Sequence, residues 1–400
     1  MRARTNCLYP SLYFQRNVGD IAKRKQVVIV KNFYPLERDP RLIKLLKMLQ
    51  SEGYRITYLG WDRKCSSLFS YRQMEHNYYR DVIMLARAPF GFRSLPFLPF
   101  WWLFASICLL RLKWDVVHAL NCPSIIPAII AAKLKNKPVI YDVEDTYIDQ
   151  LVPSLNFLRS IGISIEKLCM KLVDAVILVD DMQVEEFSGI PNPNFVVIYD
   201  SPQPIFNSHR TILKEGFFKM FYAGYLSKER QLNIESLLEA IKNVEGVRVT
   251  FAGEGDLVED IKLKAYEMPD KIQYMRYIPY DKVLQMSYES DLLFSLRDPC
   301  PLVQKYICGS KFLEATMCGK PILVNNGTST AIKVIKDKCG VVVDAHNAEE
   351  IKEAILKLKA NRELRRKLGL NGRKAYKKRY SWDIMKQRLL SLYSNILNKG

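Results

Sequence analysis

Short, continuously apolar strands alternate with helical stretches along almost the whole chain, and this order restricts the fold more than any other feature. QVVIVK (Gln26 to Lys31) precedes a loop and a helix predicted from Arg41 to Ser51, where Leu42, Leu45, Leu46 and Leu49 recur at helical spacing. Gly53 stops that helix, and RITYLGW (Arg55 to Trp61) is the next strand. DVVHAL, PVIYDV, AVILVD and FVVIYD continue the series, with a helix, IIPAIIAAKL, between the first two. Strands that are apolar on both faces belong in a parallel sheet covered on both sides, because parallel strands need crossover helices.

The pattern breaks at SPQPIFNSHR, Ser201 to Arg210, where turn formers and a polar run mark a linker. A second series then runs through FFKMFYAGYL, a helix from Leu232 to Asn243, VRVTFAG, KIQYMRYI, DLLFSL, a helix over 311–317, PILVNN and GVVVDA. At 400 residues the chain exceeds the size one hydrophobic core serves well. The expected architecture is α/β, two Rossmann-like doubly wound domains facing a cleft. The expected segments are a basic N-terminal extension over 1–25, a first Rossmann-like domain over 26–205, a second over 206–380, and a closing helix over 381–400 that packs back on the first domain.

Charge and cysteines narrow the function classes. Of the net +18, residues 1–25 carry +5 and residues 351–400 carry +12, so the basicity belongs to the two ends. Such ends suit anionic lipid, nucleic acid or water; no aromatic-interleaved basic motif is present, so no specific nucleic acid is expected. The nine cysteines are odd in number and show no CxxC spacing, which fits a reduced, intracellular chain without a cysteine metal site. Met1 to Lys25 lacks the apolar core of a secretory signal. The stretch Ser94 to Leu110, SLPFLPFWWLFASICLL, admits two readings: a core helix, or an element dipping into a membrane through Phe100, Trp101 and Trp102.

Two constellations carry chemistry. In GSKFLEATMCGKPILVNN (Gly309 to Asn326) a helix opens on Ser310 and Lys311, so free N–H groups and a cation meet where a phosphate would bind, with Glu314 one turn on. A carboxylate there can accept from two ribose hydroxyls at once. The plain alternative is an i,i+3 Lys–Glu pair. In FYAGYLSKERQLNIESLLEAI (Phe221 to Ile241) a strand ends at Gly224, and Tyr225, Lys228 and Arg230 follow in the loop. A glycine lets backbone approach a ligand, and a fixed cation stabilises charge growing on a leaving diphosphate. His118 and the acids Glu144 and Asp145 end two strands of the first series, and His118 suits either catalysis or a hydrogen-bonded core position. No Asp-x-Asp occurs, so neither a metal nor another cofactor is expected.

Together these segments resemble the retaining glycosyltransferase family 4, of the GT-B fold. The resemblance spans about 26 to 395: VIVKNFYPLERDPR looks like the opening strand and DPR loop, WDVVHALNCPSIIPAIIAAKL and PVIYDVEDTY like the mid-domain strands, FAGEGDLVEDI like the Gly-x-Gly strand end, and KRYSWDIMKQRLLSLYSNIL like the closing helix. It implies that Arg230 binds the donor diphosphate, that Glu314 is the ribose-binding second acid of the Glu-x7-Glu motif, and that Ser310 and Lys311 follow a Ser-Lys branch. The chain departs at Tyr306 for the first acid, at Tyr225 for the usual arginine, at Leu120 for the second His of His-x-His, and at Glu144 for a later His. The expected activity is metal-independent transfer of a sugar from a nucleotide-sugar donor to a lipid-linked or polysaccharide acceptor. The enzyme is expected to be cytoplasmic and peripheral on an anionic inner membrane surface. The alternative is a non-catalytic GT-B nucleotide-sugar-binding or partner protein.

Overall fold

The computed structural model describes residues 25–36, 39–66, 69–89, 91–144, 156–187, 194–204, 216–228, 232–299 and 303–398. Asp145, Arg230, nearly all of the basic N-terminal extension and part of the linker segment lie outside the described residues.

The first sheet contains β1 (Gln26–Lys31), β2 (Arg55–Asp62), β3 (Ser70–Glu75), β4 (Arg80–Leu85), β5 (Val116–Leu120), β6 (Val139–Val143), β7 (Ala175–Leu178) and β8 (Phe195–Val197). Their order across the sheet is β3-β4-β2-β1-β5-β6-β7-β8. Every neighbouring pair is parallel except β3 and β4. Sequence periodicity does not reveal β3, because this edge strand, SYRQME, is exposed over nearly its whole length and has no apolar face to alternate.

Four helices of the first domain flank that sheet: α1 (Pro40–Ser51), α2 (Leu98–Arg111), α3 (Cys122–Lys135) and α4 (Asn156–Lys171). α1 buries Leu42, Leu45, Leu46, Met48 and Leu49 as the leucine spacing predicts. The DPR triplet starts it by three separate means. Asp39 caps the helix by accepting from the Leu42 N–H at 3.0 Å, Pro40 occupies the first turn, and Arg41 reaches under the sheet edge.

The second sheet contains β9 (Phe218–Ala223), β10 (Val247–Ala252), β11 (Ile272–Met275), β12 (Leu292–Ser295), β13 (Ile322–Asn325) and β14 (Gly340–Val343), all parallel in the order β11-β10-β9-β12-β13-β14. Its helices are α5 (Glu235–Lys242), α6 (Val258–Glu267), α7 (Tyr280–Glu289), α8 (Ser310–Cys318), α9 (Ser329–Asp337), α10 (Ala348–Ala360) and α11 (Arg362–Ala375). A π-helical turn over Tyr376–Tyr380 leads into α12 (Trp382–Asn398). α12 crosses to the first sheet, where the Tyr393 hydroxyl lies 2.6 Å from His118 Nδ1 and Met385 Sδ lies 3.2 Å from the Tyr199 nitrogen.

Strand order reverses between β1 and β5 and again between β9 and β12, the positions where a parallel sheet opens a crevice at its carboxyl edge. The two carboxyl edges meet at Asp180, just past β7. Its buried carboxylate accepts from the Cys308 N–H at 2.6 Å and the Ser329 hydroxyl at 2.8 Å, groups that follow β12 and β13.

Trp101 corrects an expectation. It is fully buried, stacks on Trp61 at 6.0 Å, and donates its indole N–H to the Pro123 carbonyl at 3.0 Å. The half-buried Trp102 donates to the same carbonyl at 3.0 Å. The indoles fasten α2 to α3, so Trp101 is not a surface contact, whereas Phe100 does point outward.

Candidate functional site

In the first domain the switch point holds a chain of buried charges. Lys31, the last residue of β1, lies 2.5 Å from Asp39 and 2.6 Å from Glu144. Glu144 follows β6; Arg41 Nε lies 3.7 Å from its carboxylate, and Asn121 donates to it from its side chain at 3.1 Å and accepts the Glu144 N–H at 3.0 Å. Asn121 adopts φ 63° and ψ 161°, a backbone region that is costly for any residue but glycine. Its reciprocal bonds with Glu144 hold it there, at the start of α3. Burial pushes the Glu144 carboxyl up to about 7; Lys31 pulls it down and Asp39 adds to the rise. For Lys31, burial is outweighed by the carboxylates of Glu144 and Asp39, which hold its ammonium above the ordinary value.

This sets a sign for pH dependence. A carboxyl whose folded pKa is raised favours the folded state below its unfolded value of 4.5, and that contribution is lost as pH rises through about 7. Glu144→Gln should therefore flatten the decline in stability across that window. Urea unfolding on either side of it is the measurement, and an unchanged slope would assign the decline to other groups.

Beneath Glu144, Arg41 grips Asp142 with bonds of 2.9 and 3.0 Å and donates to the Ile198 carbonyl at 2.9 Å. Burial opposes the Asp142 charge, but Arg41 and His118 outweigh it and hold the carboxyl below its ordinary range. His118 is fully buried, with Nδ1 against Tyr393 and Nε2 3.4 Å from Asp142. The expected catalytic role does not fit this geometry, since neither ring nitrogen is open to a substrate. His118 is a positioning residue that ties α12 to the charged floor. Of Lys31, Asp39, Arg41, Asp142 and Glu144, the one that keeps most contact with solvent is Glu144, its side chain 16% exposed.

In the second domain, Gly224 follows β9, and Tyr225 beside it is half exposed. Lys228 is occupied at the surface, 2.7 Å from Asp260. α8 opens on Ser310, which is exposed, while Lys311 lies 2.5 Å from the buried Glu314. That is the i,i+3 pair the spacing allows. Burial raises the Glu314 carboxyl and Lys311 pulls it back. Sequence reasoning passed over Arg297. It lies two residues past β12, and its guanidinium donates at 2.8 Å to the Tyr222 hydroxyl, which itself sits against Gly224. Arg297 thus brings a cation to the β9/β12 switch point, although its only signal in the sequence is its place after a strand.

Two parallel-sheet domains whose carboxyl edges face each other, each with charged groups at its switch point, define the GT-B class of two-domain transferases. The description "Glycosyl transferase 4-like domain" matches residues 41–200, and "Glycosyl transferases group 1" matches residues 206–375. The chain belongs to the GT-B glycosyltransferases. An uncharacterised glycosyltransferase of Methanocaldococcus jannaschii is 24% identical over a stretch covering 42% of this chain and 44% of that protein. The capsular polysaccharide biosynthesis glycosyltransferase CapM of Staphylococcus aureus is 26% identical over 28% of this chain and 35% of its own length. A GDP-mannose-dependent phosphatidylinositol monomannoside mannosyltransferase of Mycobacterium tuberculosis is 23% identical over 37% of this chain and 39% of its own. The chain thus spans less than half the length of these curated relatives. Among solved structures, sucrose-phosphate synthase from Thermosynechococcus elongatus superposes with a TM-score of 0.68 at 14% identity, over 94% of this chain and all of that one. Anabaena HepE in complex with UDP gives 0.67 at 13% identity, over 93% of this chain and all of that one. At these identities the likeness is one of fold.

Proposed function

We propose that this chain moves a sugar from a nucleotide-sugar donor to a lipid-linked or polysaccharide acceptor, with retention of anomeric configuration and without a metal, as a peripheral enzyme on the cytoplasmic face of a membrane. Glu314 carries the proposal. It is a carboxylate one turn into the helix that opens at the carboxyl edge of the second sheet, oriented by Lys311, and it can accept from ribose hydroxyls while the N-terminal N–H groups of α8 and Ser310 face the diphosphate. Arg297 and Arg230 supply cations for the leaving diphosphate, and Gly224 and Tyr225 form the adjoining wall. On the acceptor side Glu144, at the carboxyl end of β6, is the proposed group facing the acceptor hydroxyl, and the resemblance adds Asp145, which lies outside the described residues. The UDP complex of the HepE structure supports the nucleotide. The relatives named for capsular polysaccharide and phosphatidylinositol mannoside synthesis support the acceptor class.

The test is a thermal-shift panel of nucleotide sugars on wild type and Glu314→Gln. A true donor at a hundred times its dissociation constant should stabilise the wild type by about 2.7 kcal/mol. The variant keeps the shape but loses the charge, so it should need at least about tenfold more donor for the same shift, a loss of roughly 1.4 kcal/mol. Equal shifts in both proteins would remove Glu314 from the site. The second reading, a GT-B domain that binds donor without turnover, is favoured by Glu144 being locked to Lys31 and Asn121. Donor hydrolysis separates the two, since a binder without chemistry releases no nucleotide.

A further inference from the structure

The outward face of the first domain is apolar where a soluble sheet-covering layer is ordinarily polar. On α2 the residues turned away from the sheet are Phe100, Leu103, Ile107 and Leu110, all exposed, with Leu103 at 61%. They recur at steps of three and four, so they form one stripe. α3 adds Ile130 and Leu134, the latter 70% exposed. α4 adds Ile161, Ile165 and Leu168, and Leu172 just past its end continues the stripe. All three helices pack their other sides into one core cluster over the same face of the first sheet, so the exposed sides look the same way. Only 28% of the apolar window in Arg93–Arg111 is buried, far less than a core helix would show. A continuous apolar surface across three helices exceeds what isolated surface leucines explain.

The charges at its border choose the occupant. Each of these helices leads from the carboxyl edge of one strand to the start of the next, so the three C-terminal ends gather at the edge away from the crevice. There stand the exposed cations Arg111, Lys113, Lys133, Lys171 and Lys137, the last 3.9 Å from Asp115, with Asp174 the other acid at that edge. Between Arg93 and Lys137 there are six Lys or Arg against one acid, Asp115. Lys135 is excluded from this set, because its ammonium is committed to the Leu109 and Leu112 carbonyls at 2.9 and 2.5 Å. An apolar plane with a basic border matches the hydrocarbon boundary and headgroups of an anionic bilayer.

We propose that the α2–α3–α4 face is the lipid-docking surface of this protein, lying in the plane of an anionic membrane. The proposal rests on the peripheral location given above and alters its physical basis. The contact is a three-helix plane rather than the stretch Ser94 to Leu110 alone, and the cations at its border belong to the first domain rather than to the chain ends. It also fixes an orientation, because α3 starts beside Asn121 and Glu144 and runs outward with Leu134 on the lipid side. The crevice then opens along the membrane, where a lipid-linked acceptor is held.

The full chain is tested by co-sedimentation with phosphatidylcholine vesicles with and without phosphatidylglycerol. Two double variants are compared with the wild type, Leu103→Ser with Ile107→Ser on α2 and Ile165→Ser with Leu168→Ser on α4. Binding should need the anionic lipid, and each double variant should lower partitioning by about tenfold or more while its thermal unfolding stays that of the wild type. The α4 variant decides, because it leaves the Ser94 to Leu110 stretch intact. Wild-type partitioning of that variant would overturn the proposal. So would a wild-type dimer in sedimentation that both variants break into monomers without any vesicle binding, since a second copy would then cover the face. Nucleotide-sugar binding measured on the same proteins keeps this result apart from the transferase chemistry. Vesicle binding without donor binding sinks the proposed reaction and leaves the docking face standing.

Discussion

Lys333→Met should cost about 3–5 kcal/mol of stability, as removal of one partner of a buried ion pair does. Lys333, on α9, crosses from the second domain to the first, 2.7 Å from Asp180 and 2.7 Å from Asp181, and also donates to the Ser329 hydroxyl at 3.0 Å. Its ammonium is almost fully buried and Asp180 is completely so. Removing the cation leaves a carboxylate without its charge partner at the seam between the two carboxyl edges, and a buried unpaired charge is far more costly than the pair is favourable. Burial already pushes the Asp180 carboxyl up to about 6 with Lys333 present. Without Lys333 it rises further, so the variant can neutralise Asp180 by protonation at a higher pH than the wild type, and the loss should shrink as pH falls from the alkaline side toward about 6. Denaturant unfolding at acid and alkaline pH measures this. Because the tie joins the domains, small-angle scattering should show the variant more open. Adding Asp180→Asn should recover much of the loss, as neutral replacements of both partners commonly do. A loss independent of pH, or not relieved by the second change, would show that Lys333 acts through packing and not through its charge.

The same seam shows where a sequence is silent. Apart from β3 and β4, the strands and α1 were legible because each is specified by its own residues: continuous apolar runs for the strands and leucines at helical spacing for α1; β4 carries a buried apolar run of the same kind, VIML, that the reading passed over. β3 was not, since an edge strand exposed on both faces buries nothing that would impose a period. At the site, the segment around Ser310, Lys311 and Glu314 was legible because one helix holds all three. Asp180 read as a strand end and lies two residues past the end of β7; its partners Cys308, Ser329 and Lys333 lie more than a hundred residues away and carry no spacing signal. His118 read equally as catalytic or structural, and only the approach of Tyr393 from α12 decides between them. Trp101 looked like a lipid anchor because its neighbours are apolar. Composition cannot say which side of a helix faces a sheet when both sides are apolar, and here the outward side is Phe100, Leu103 and Ile107.

Gly253→Ala should lower stability by about 2–5 kcal/mol and, unlike Gly246→Ala, abolish tight donor binding. Gly253 follows β10 at φ +142°, in the region where a side chain is strained, and a Cβ there would lie 1.9 Å from the Gly224 carbonyl oxygen. Gly255, at φ +152°, would bring its Cβ to 2.0 Å from the Leu226 carbonyl oxygen. Both clashes are with backbone, so no rotamer relieves them. The two glycines therefore form a bed on which the 224–226 segment lies, pinned by Gly224 N–H to the Ala252 carbonyl at 2.9 Å and by Leu226 N–H to the Glu254 carbonyl at 2.9 Å. A methyl group at 253 must lift Gly224 off that bed, and with it Tyr225, the segment proposed above to wall the donor site. The control is Gly246→Ala. Gly246 also has a positive φ, +62°, but its Cβ would meet only the flexible end of Lys359 at 3.4 Å, away from the crevice. That change should cost only the conformational part, about 1–2 kcal/mol, and leave donor affinity untouched. Calorimetric titration of both variants with the donor found in the thermal-shift panel reads the difference directly. If Gly253→Ala binds donor as tightly as Gly246→Ala, the 224–226 segment does not form part of the nucleotide site, and the cations at Arg297 and α8 must hold the diphosphate alone.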